Sequence, residues 1–496
     1  MASNPPNPLL GAQAMARRLA FGTMLMGGAN IVKALVQLLT LPIVARLLGP
    51  SDYGLYGLAM PAVFLMLMIA DSGLGASLAR EPEDNLNVWS SAYWFLLASG
   101  IVLMLALSGA AFLVADFAHQ PRLPPIMMSL SVCLIFLVLA VPGNALLTRQ
   151  GRLGVNSIGE ALGNIIGAAA AIVLAWRGAG AWSLVAQTLL TYAIRTGFIM
   201  VAAPFMPKLH FALADLRAHL AVGGSILGAR LADTGGRTIE SALIARLVGT
   251  YFLGAYSFAN QAPRFICESV SNALWAALYA QAVQPGNEAR ALRSYSMVLR
   301  VFSLLVFPVA VLIAVDAHRL ILGLLGTRWL GAVLILRILL VTYALNIAGG
   351  FGSALLYAKG RSEIQLRITI EAVCIRLASV ALIPWVGITG MALGFGVANI
   401  TVFFRGTFAV SRHFALRPRA QFRLLAGPAI ASVLVGGLSL LLAAHLPTGI
   451  FCTLGNMAGC FALYLVILGV SEYRMMAADL LALRNLLGRK RMEQQA

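Results

Sequence analysis

Acidic side chains are scarce in this chain. Asp and Glu number 18 among 496 residues, and all charged residues together make up 11%. A soluble domain carries about 25%, so no soluble domain of ordinary composition fits. Cysteine is scarce too: Cys133, Cys267, Cys374, Cys452 and Cys460 include no Cys-x-x-Cys pair. That excludes a thiolate metal ribbon or a disulfide framework, and reads as small core residues inside apolar stretches. The six histidines show no metal-ligand spacing either, so no metal site is expected. Long polar loops are also missing. Their absence counts against a membrane-embedded polysaccharide polymerase or ligase, whose acceptor needs a sizeable outer loop.

What the chain does have is apolar length: 60% of its residues are hydrophobic. A bilayer core about 30 Å thick needs roughly 20 apolar residues per crossing helix. Apolar runs and their breaks give about fourteen such helices. The expected fold is an all-α polytopic membrane protein with two six-helix lobes related by a parallel internal repeat, plus two C-terminal helices. The boundaries are a cytoplasmic N-terminal segment at 1–19, an N-lobe at 20–210, a C-lobe at 211–412, two further spans at 413–470 and a basic cytoplasmic tail at 471–496. The net charge of +18 would suggest nucleic acid if it lay on a soluble face. Here the charges sit at the ends of apolar runs and carry topology. With both termini cytoplasmic in a bacterial inner membrane, 22 Lys and Arg fall on the inner side and 6 on the outer.

The repeat is visible in two stretches. Residues 45–56 read ARLLGPSDYGLY and residues 245–256 read ARLVGTYFLGAY. Six of the twelve positions are identical, at an offset of 200. In the first copy, Gly49-Pro50 stops one helix and Ser51 or Asp52 can cap the next. A second echo has an offset of 209: Gly151-Arg152 opens a span ending at Trp176, and Gly360-Arg361 opens one ending at Trp385. Six spans per copy is even, so both copies keep the same orientation, with a substrate path expected at their interface.

The first helix of each copy carries a polar stripe. Arg230, Asp233, Arg237 and Glu240 fall within about 80° of one another on a helix. Their equivalents 200 residues earlier are Asn30, Lys33, Gln37 and Thr40. The next helix adds Asn260, Arg264, Glu268 and Ser271 or Asn272 on one face, while Asp71 and Ser72 stand near an inner end in the first copy. Charges facing lipid cost several kcal/mol, so these faces look into protein or water. Two readings stay open: a cationic cavity between two lobes that suits a phosphate or diphosphate, or structural ion pairs between packed helices. No acid in the first span can pair with Lys33, which favours the cavity for that residue. Arg195 and Arg405 are expected to snorkel to an inner surface, and Glu160, Arg337, Glu371 and Arg376 fit either packing or pathway.

The segment LPIVARLLGPSDYGLYGLAMPAVFLMLMIADSGLGASLARE, with its G-P-x-D-Y-G-L-Y turn and following A-D-S-G-L-G, resembles the opening of Wzx-type flippases. LGAYSFANQAPRF resembles the matching segment of the second half. These are oligosaccharide and polysaccharide exporters of the multidrug/oligosaccharidyl-lipid/polysaccharide (MOP) superfamily, in the colanic-acid and teichuronic-acid branch. The resemblance implies alternating-access transport of a polyprenyl-diphosphate-linked oligosaccharide, without enzymatic chemistry. It places charged first-helix residues on Lys33, Arg230, Arg237 and Arg264, with Asn30 and Gln37 beside them. Asp71, Asp233, Glu240 and Glu268 would then serve as counter-ions or bind a coupling ion, H+ or Na+. No other cofactor is implied. Implied partners are the lipid-linked substrate, membrane lipid and a polysaccharide polymerase or chain-length regulator. The second turn, GTYFLGAY, lacks the Pro-x-Asp of the first, so any role of Asp52 is not shared. The nearest rival, a cation-coupled multidrug exporter of the same superfamily, would favour an acidic, aromatic pocket over this basic stripe.

Overall fold

A computed structural model describes residues 8–471, apart from 72–73, 79–84, 217–223, 285–287, 415 and 448. Within described helices some residues are described by backbone alone, Asp71 and Arg230 among them. The described residues are helical throughout their ordered elements. In the first half these are α1 (Pro8–Leu48), α2 (Pro50–Asp71), α3 (Leu74–Leu78), α4 (Leu86–Phe117), α5 (Leu123–Ser131), α6 (Cys133–Arg149), α7 (Leu153–Trp176) and α8 (Trp182–Ala202). The long α9 (Gly224–Ala282) follows. Then come α10 (Glu288–Val315), α11 (Ala317–Leu324), α12 (Ala332–Gly350), α13 (Gly352–Ala358), α14 (Ser362–Ala381), α15 (Ile383–His413), α16 (Pro418–His445) and α17 (Ile450–Ser471).

Twelve of these stretches are long and apolar enough to cross a membrane. One of them, Leu231–Ala282, is two helices run together, because Gly249 interrupts it with φ 82° and ψ 171°. A further crossing, α14, misses the apolar standard because Glu363, Arg367, Glu371 and Arg376 punctuate it. Counting both gives the expected fourteen. The boundaries moved where polar turns continue a helix beyond the hydrocarbon. The apolar run 297–316 lies in a helix that begins at Glu288, nine residues earlier, and the apolar run 424–444 lies in one that begins at Pro418. Charged residues at a helix end keep their backbone hydrogen bonds while leaving no apolar signal.

The chain forms two packing units, residues 1–257 and 258–496. In the first, α7 lies against both α1 and α8. Small residues permit the close α7–α8 approach: a Cβ on Gly163 would come 2.6 Å from the Thr191 carbonyl oxygen, and one on Gly167 2.7 Å from that of Gln187. The second unit has its core around Tyr295, Phe302, Phe351 and Leu355. Its last two helices are fastened by buried polar contacts. Ser439 on α16 donates to Asp316 at 2.8 Å, and Asn456 on α17 donates to Ser439 at 2.8 Å.

The repeat shows in the backbone more fully than in the side chains. Positive φ occurs at Gly49 and Gly249, at His119 and Gly326, at Gly151 and Gly360, and at Gly178 and Gly387. Each pair is separated by 200 to 209 residues. Gly180 is the one described position of this kind with no counterpart. Trp176 and Trp385 also match, 79% and 78% exposed, as suits an aromatic at a membrane surface. Trp385 lies four residues past the end of α14, since that helix stops at Ala381 instead of running on to the Trp.

The two copies of the repeated turn meet each other. A Cβ on Gly54 would lie 1.9 Å from the Thr250 carbonyl oxygen, and a Cβ on Gly254 would lie 1.8 Å from that of Pro50. One step along, a Cβ on Gly57 would come 2.4 Å from the Ser257 hydroxyl. Each contact joins a residue to the neighbourhood of its own counterpart 200 positions away, and all lie within the first unit. Glycine at both positions is what lets the backbones touch. Pro50 opens α2, so Ser51 and Asp52 sit in its first turn and do not precede it as caps. Asp52 instead accepts a hydrogen bond from Arg122 at 3.1 Å.

Candidate functional site

The polar stripe of α1 runs from an exposed Asn30 through half-buried Lys33 and Gln37 to a buried Thr40. Lys33 does have a partner: its ammonium donates to Glu160 on α7. The acid comes from outside the first span, in keeping with the absence of one within it, and Lys33 is paired. The partner comes from a helix 127 residues further on, which helical spacing within α1 cannot reveal. The pair links two helices that pack side by side, and it settles Glu160 as a counter-ion.

In the first half of α9, Asp233 and Arg237 form an i,i+4 pair at 2.9 Å. Glu240, one turn on, is 1% exposed, and the Tyr256 hydroxyl donates to it at 3.5 Å. Thr234 faces α2, its hydroxyl 3.3 Å from the Met68 sulfur. The side chains of Arg230 and Asp71, both expected in the site, lie outside the described residues.

In the second unit, Arg264 donates to Glu268 at 3.1 Å, and the Tyr343 hydroxyl donates to the same carboxylate oxygen at 2.7 Å. Glu268 therefore holds Arg264 with a third group from α12. Arg337 donates to the Ala314 and Val315 carbonyls at 3.1 and 3.3 Å, which closes the end of α10 and is packing. Arg405 on α15 pairs with Glu371 on α14, so it does not reach out alone to the surface. Of the cysteines, Cys133, Cys267 and Cys460 are buried, Cys452 is half-buried, and Cys374 is exposed rather than a core residue.

Arg195 departs most from its expectation as a snorkelling residue. Its Nε donates to the Asn156 side-chain oxygen at 3.0 Å, across from α8 to α7. It lines a pocket of about 280 Å³ whose walls come from α2, α6 and α8. Asn144 and Tyr192 share the polar end, while Phe64, Leu67 and Val141 contribute to the apolar part. The sequence signal was present but weak. Asn156 and Arg195 are polar residues in two consecutive spans, and nothing in either span says that they meet.

A helical membrane chain built of two copies, each with charge-bearing first helices, matches solved transporters in its fold. The inward closed conformation of the lipid II flippase MurJ superposes with a TM-score of 0.74 at 11% identity, covering 92% of this chain and 100% of that one. An inward-facing multidrug resistance MATE transporter of the MOP superfamily gives a TM-score of 0.55 at 17% identity, covering 77% and 98%. The fold is thus the one these two solved chains share.

The chain belongs to the family described as polysaccharide biosynthesis protein, whose profile matches residues 43–334. Among its relatives is the succinoglycan biosynthesis transport protein ExoT of Rhizobium meliloti (strain 1021), 24% identical over 88% of this chain and 94% of the relative. The lipopolysaccharide biosynthesis protein WzxC of Escherichia coli (strain K12) is 21% identical over 75% and 76%. The teichuronic acid biosynthesis protein TuaB of Bacillus subtilis (strain 168) is 20% identical over 74% and 77%.

Proposed function

We propose that this protein moves a polyprenyl-diphosphate-linked oligosaccharide unit across the inner membrane by alternating access, for the building of a surface polysaccharide. The observation that carries the reading is the set of cations held inside membrane helices by carboxylates: Lys33 with Glu160, Arg237 with Asp233, and Arg264 with Glu268. A charge at a bilayer centre costs about 2.5–3.5 kcal/mol on insertion scales. A purely structural helix has little reason to carry one on every such face. Paired cations can exchange a carboxylate for an arriving phosphate, because Arg presents a planar fork and Lys a point charge. In this reading Lys33, Gln37, Arg230 and Arg237 are the head-group residues of the first unit, and Arg264 is a candidate anion-binding cation of the second. Its hydrocarbon tail stays in lipid.

The carboxylates released in that exchange are natural holders of the coupling ion, H+ or Na+. Asp233, Glu240 and Glu268 fill this role in the reading, with Asp71 as the further acid of the first copy. Both termini are assigned to the cytoplasm on the charge bias of the loops. The substrate then arrives from the cytoplasmic leaflet and leaves towards a polysaccharide polymerase and its chain-length regulator. No bond is made or broken in the cycle, so the protein acts as a transporter and not as an enzyme.

The test is complementation in a host that lacks its own repeat-unit flippase. Surface polysaccharide should return and the accumulated lipid-linked oligosaccharide should clear. Well-inserted protein that restores no polysaccharide across several repeat-unit chemistries, but raises drug resistance, would overturn the reading in favour of a multidrug exporter.

A further inference from the structure

We propose that the pocket enclosed by α2, α6 and α8 binds a phosphate or diphosphate group attached to a hydrocarbon chain, with Arg195 as its anchor; this rests on the export reading above and adds a second place for the substrate's head group. Four cations in membrane helices have carboxylate partners: Lys33, Arg237, Arg264 and Arg405. Among the described residues no carboxylate pairs with Arg195. Its contact is the neutral Asn156 oxygen, taken at Nε. An amide fixes the direction of the guanidinium without cancelling its charge, and leaves the two terminal amino groups for a ligand.

Arg195 stands seven residues before the end of α8 at Ala202, about 10 Å in from the helix terminus at 1.5 Å per residue. A cation at that depth that forms no ion pair among the described residues is costly, and is a functional candidate by default. The pocket supplies the rest of the chemistry. Tyr192 and Asn144 can donate to further phosphate oxygens, and Phe64 and Val141 offer an apolar wall. At about 280 Å³ the pocket has room for a diphosphate and the first part of its chain. The pocket is open to its surroundings, so the sugars can lie outside it while the head group is held.

The test uses the full chain in phosphatidylcholine nanodiscs, with farnesyl diphosphate, farnesol, inorganic diphosphate and phosphatidylglycerol as probes. Farnesyl diphosphate should bind roughly tenfold or more tightly than farnesol or inorganic diphosphate, each of which carries one half of the recognised chemistry. Arg195→Gln should lose roughly tenfold or more of that affinity and Arg195→Lys should keep part of it, since Lys retains the charge without the fork. Thermal melting of both variants near the wild-type temperature separates lost binding from lost folding. Equal binding by wild type and Arg195→Gln overturns the proposal, as does an equal, Arg195-dependent affinity for phosphatidylglycerol, which would make the pocket a site for bulk lipid. The complementation assay is independent of these readouts. Rescue by wild type together with unaltered binding in Arg195→Gln removes the pocket and keeps the export reading. Arg195-dependent binding without rescue in any host supports the pocket and removes that reading.

Discussion

The first helix of copy one and the first helix of copy two solve the same electrostatic problem in different ways. In α1, Lys33 reaches across to Glu160 on α7. At the start of α9, Arg237 takes its acid from Asp233, one turn earlier on the same helix. An interhelical pair ties a helix to its neighbour, whereas an i,i+4 pair travels with its helix wherever that helix goes. The tyrosines of the repeated turn diverge similarly. Tyr56 contacts Thr188 on α8 at 2.9 Å, while Tyr256 donates to Glu240, on the preceding stretch of its own helix pair. Copy one makes these contacts with other helices, and copy two makes them within its own helix pair, beside further contacts of Asp233, Arg237 and Tyr256. Duplicated sequence therefore preserved the need for a polar stripe while leaving its compensation free to change.

Seven substitutions break or sharpen this contrast, and the first attacks what the copies still share. Gly54→Leu puts a side chain where the Thr250 carbonyl stands, so it should remove detectable folded protein and all rescue of surface polysaccharide. A Cβ at Gly27 meets nothing within 4 Å among the described residues, so Gly27→Ala should be silent in the same expression and rescue assays. Loss of the interhelical pair comes next. Glu160→Gln should destabilise by roughly 1–3 kcal/mol, less than a fully buried pair because both side chains keep about a third of their exposure. Adding Lys33→Gln should recover part of that loss, and additive single and double variants in chemical unfolding would show that the two do not interact.

Tyr56→Phe should cost about 0.5–1.5 kcal/mol by the same measurement, the worth of one hydrogen bond. Tyr256→Phe should cost less, because its contact to Glu240 is stretched to 3.5 Å. The i,i+4 pair comes last. Asp233→Asn should change stability by less than about 1 kcal/mol. A larger change there than at Glu160 would reverse the proposed difference between the copies.

The number of crossings, the repeat and the polar stripes were all legible in the sequence, because each leaves a local pattern. Apolar runs mark spans, identical turns mark copies, and 3- and 4-residue spacing marks a face. Partners drawn from distant helices leave no such trace, which is why Glu160 could not be matched to Lys33 and Arg195 read as a residue bound for the surface. The Gly54–Gly254 contact lies between these cases. The two identical stretches could be seen, but that they press against each other follows from the fold alone. Helix ends such as Glu288 were misplaced for a further reason: their polar turns lie beyond the apolar run that announces the span.

The charged helix α14 carries an implication for how the chain is made. Four ionised residues in 20 give it little reason to leave the translocation channel for lipid by itself. Glu371 finds its cation, Arg405, on α15, the next segment to be synthesised, and the two helices pack together. The pair therefore fits delivery to the bilayer as a hairpin, with α14 waiting at the ribosome's exit site until α15 has emerged. The ion pair would then serve insertion into the membrane before it serves the finished protein.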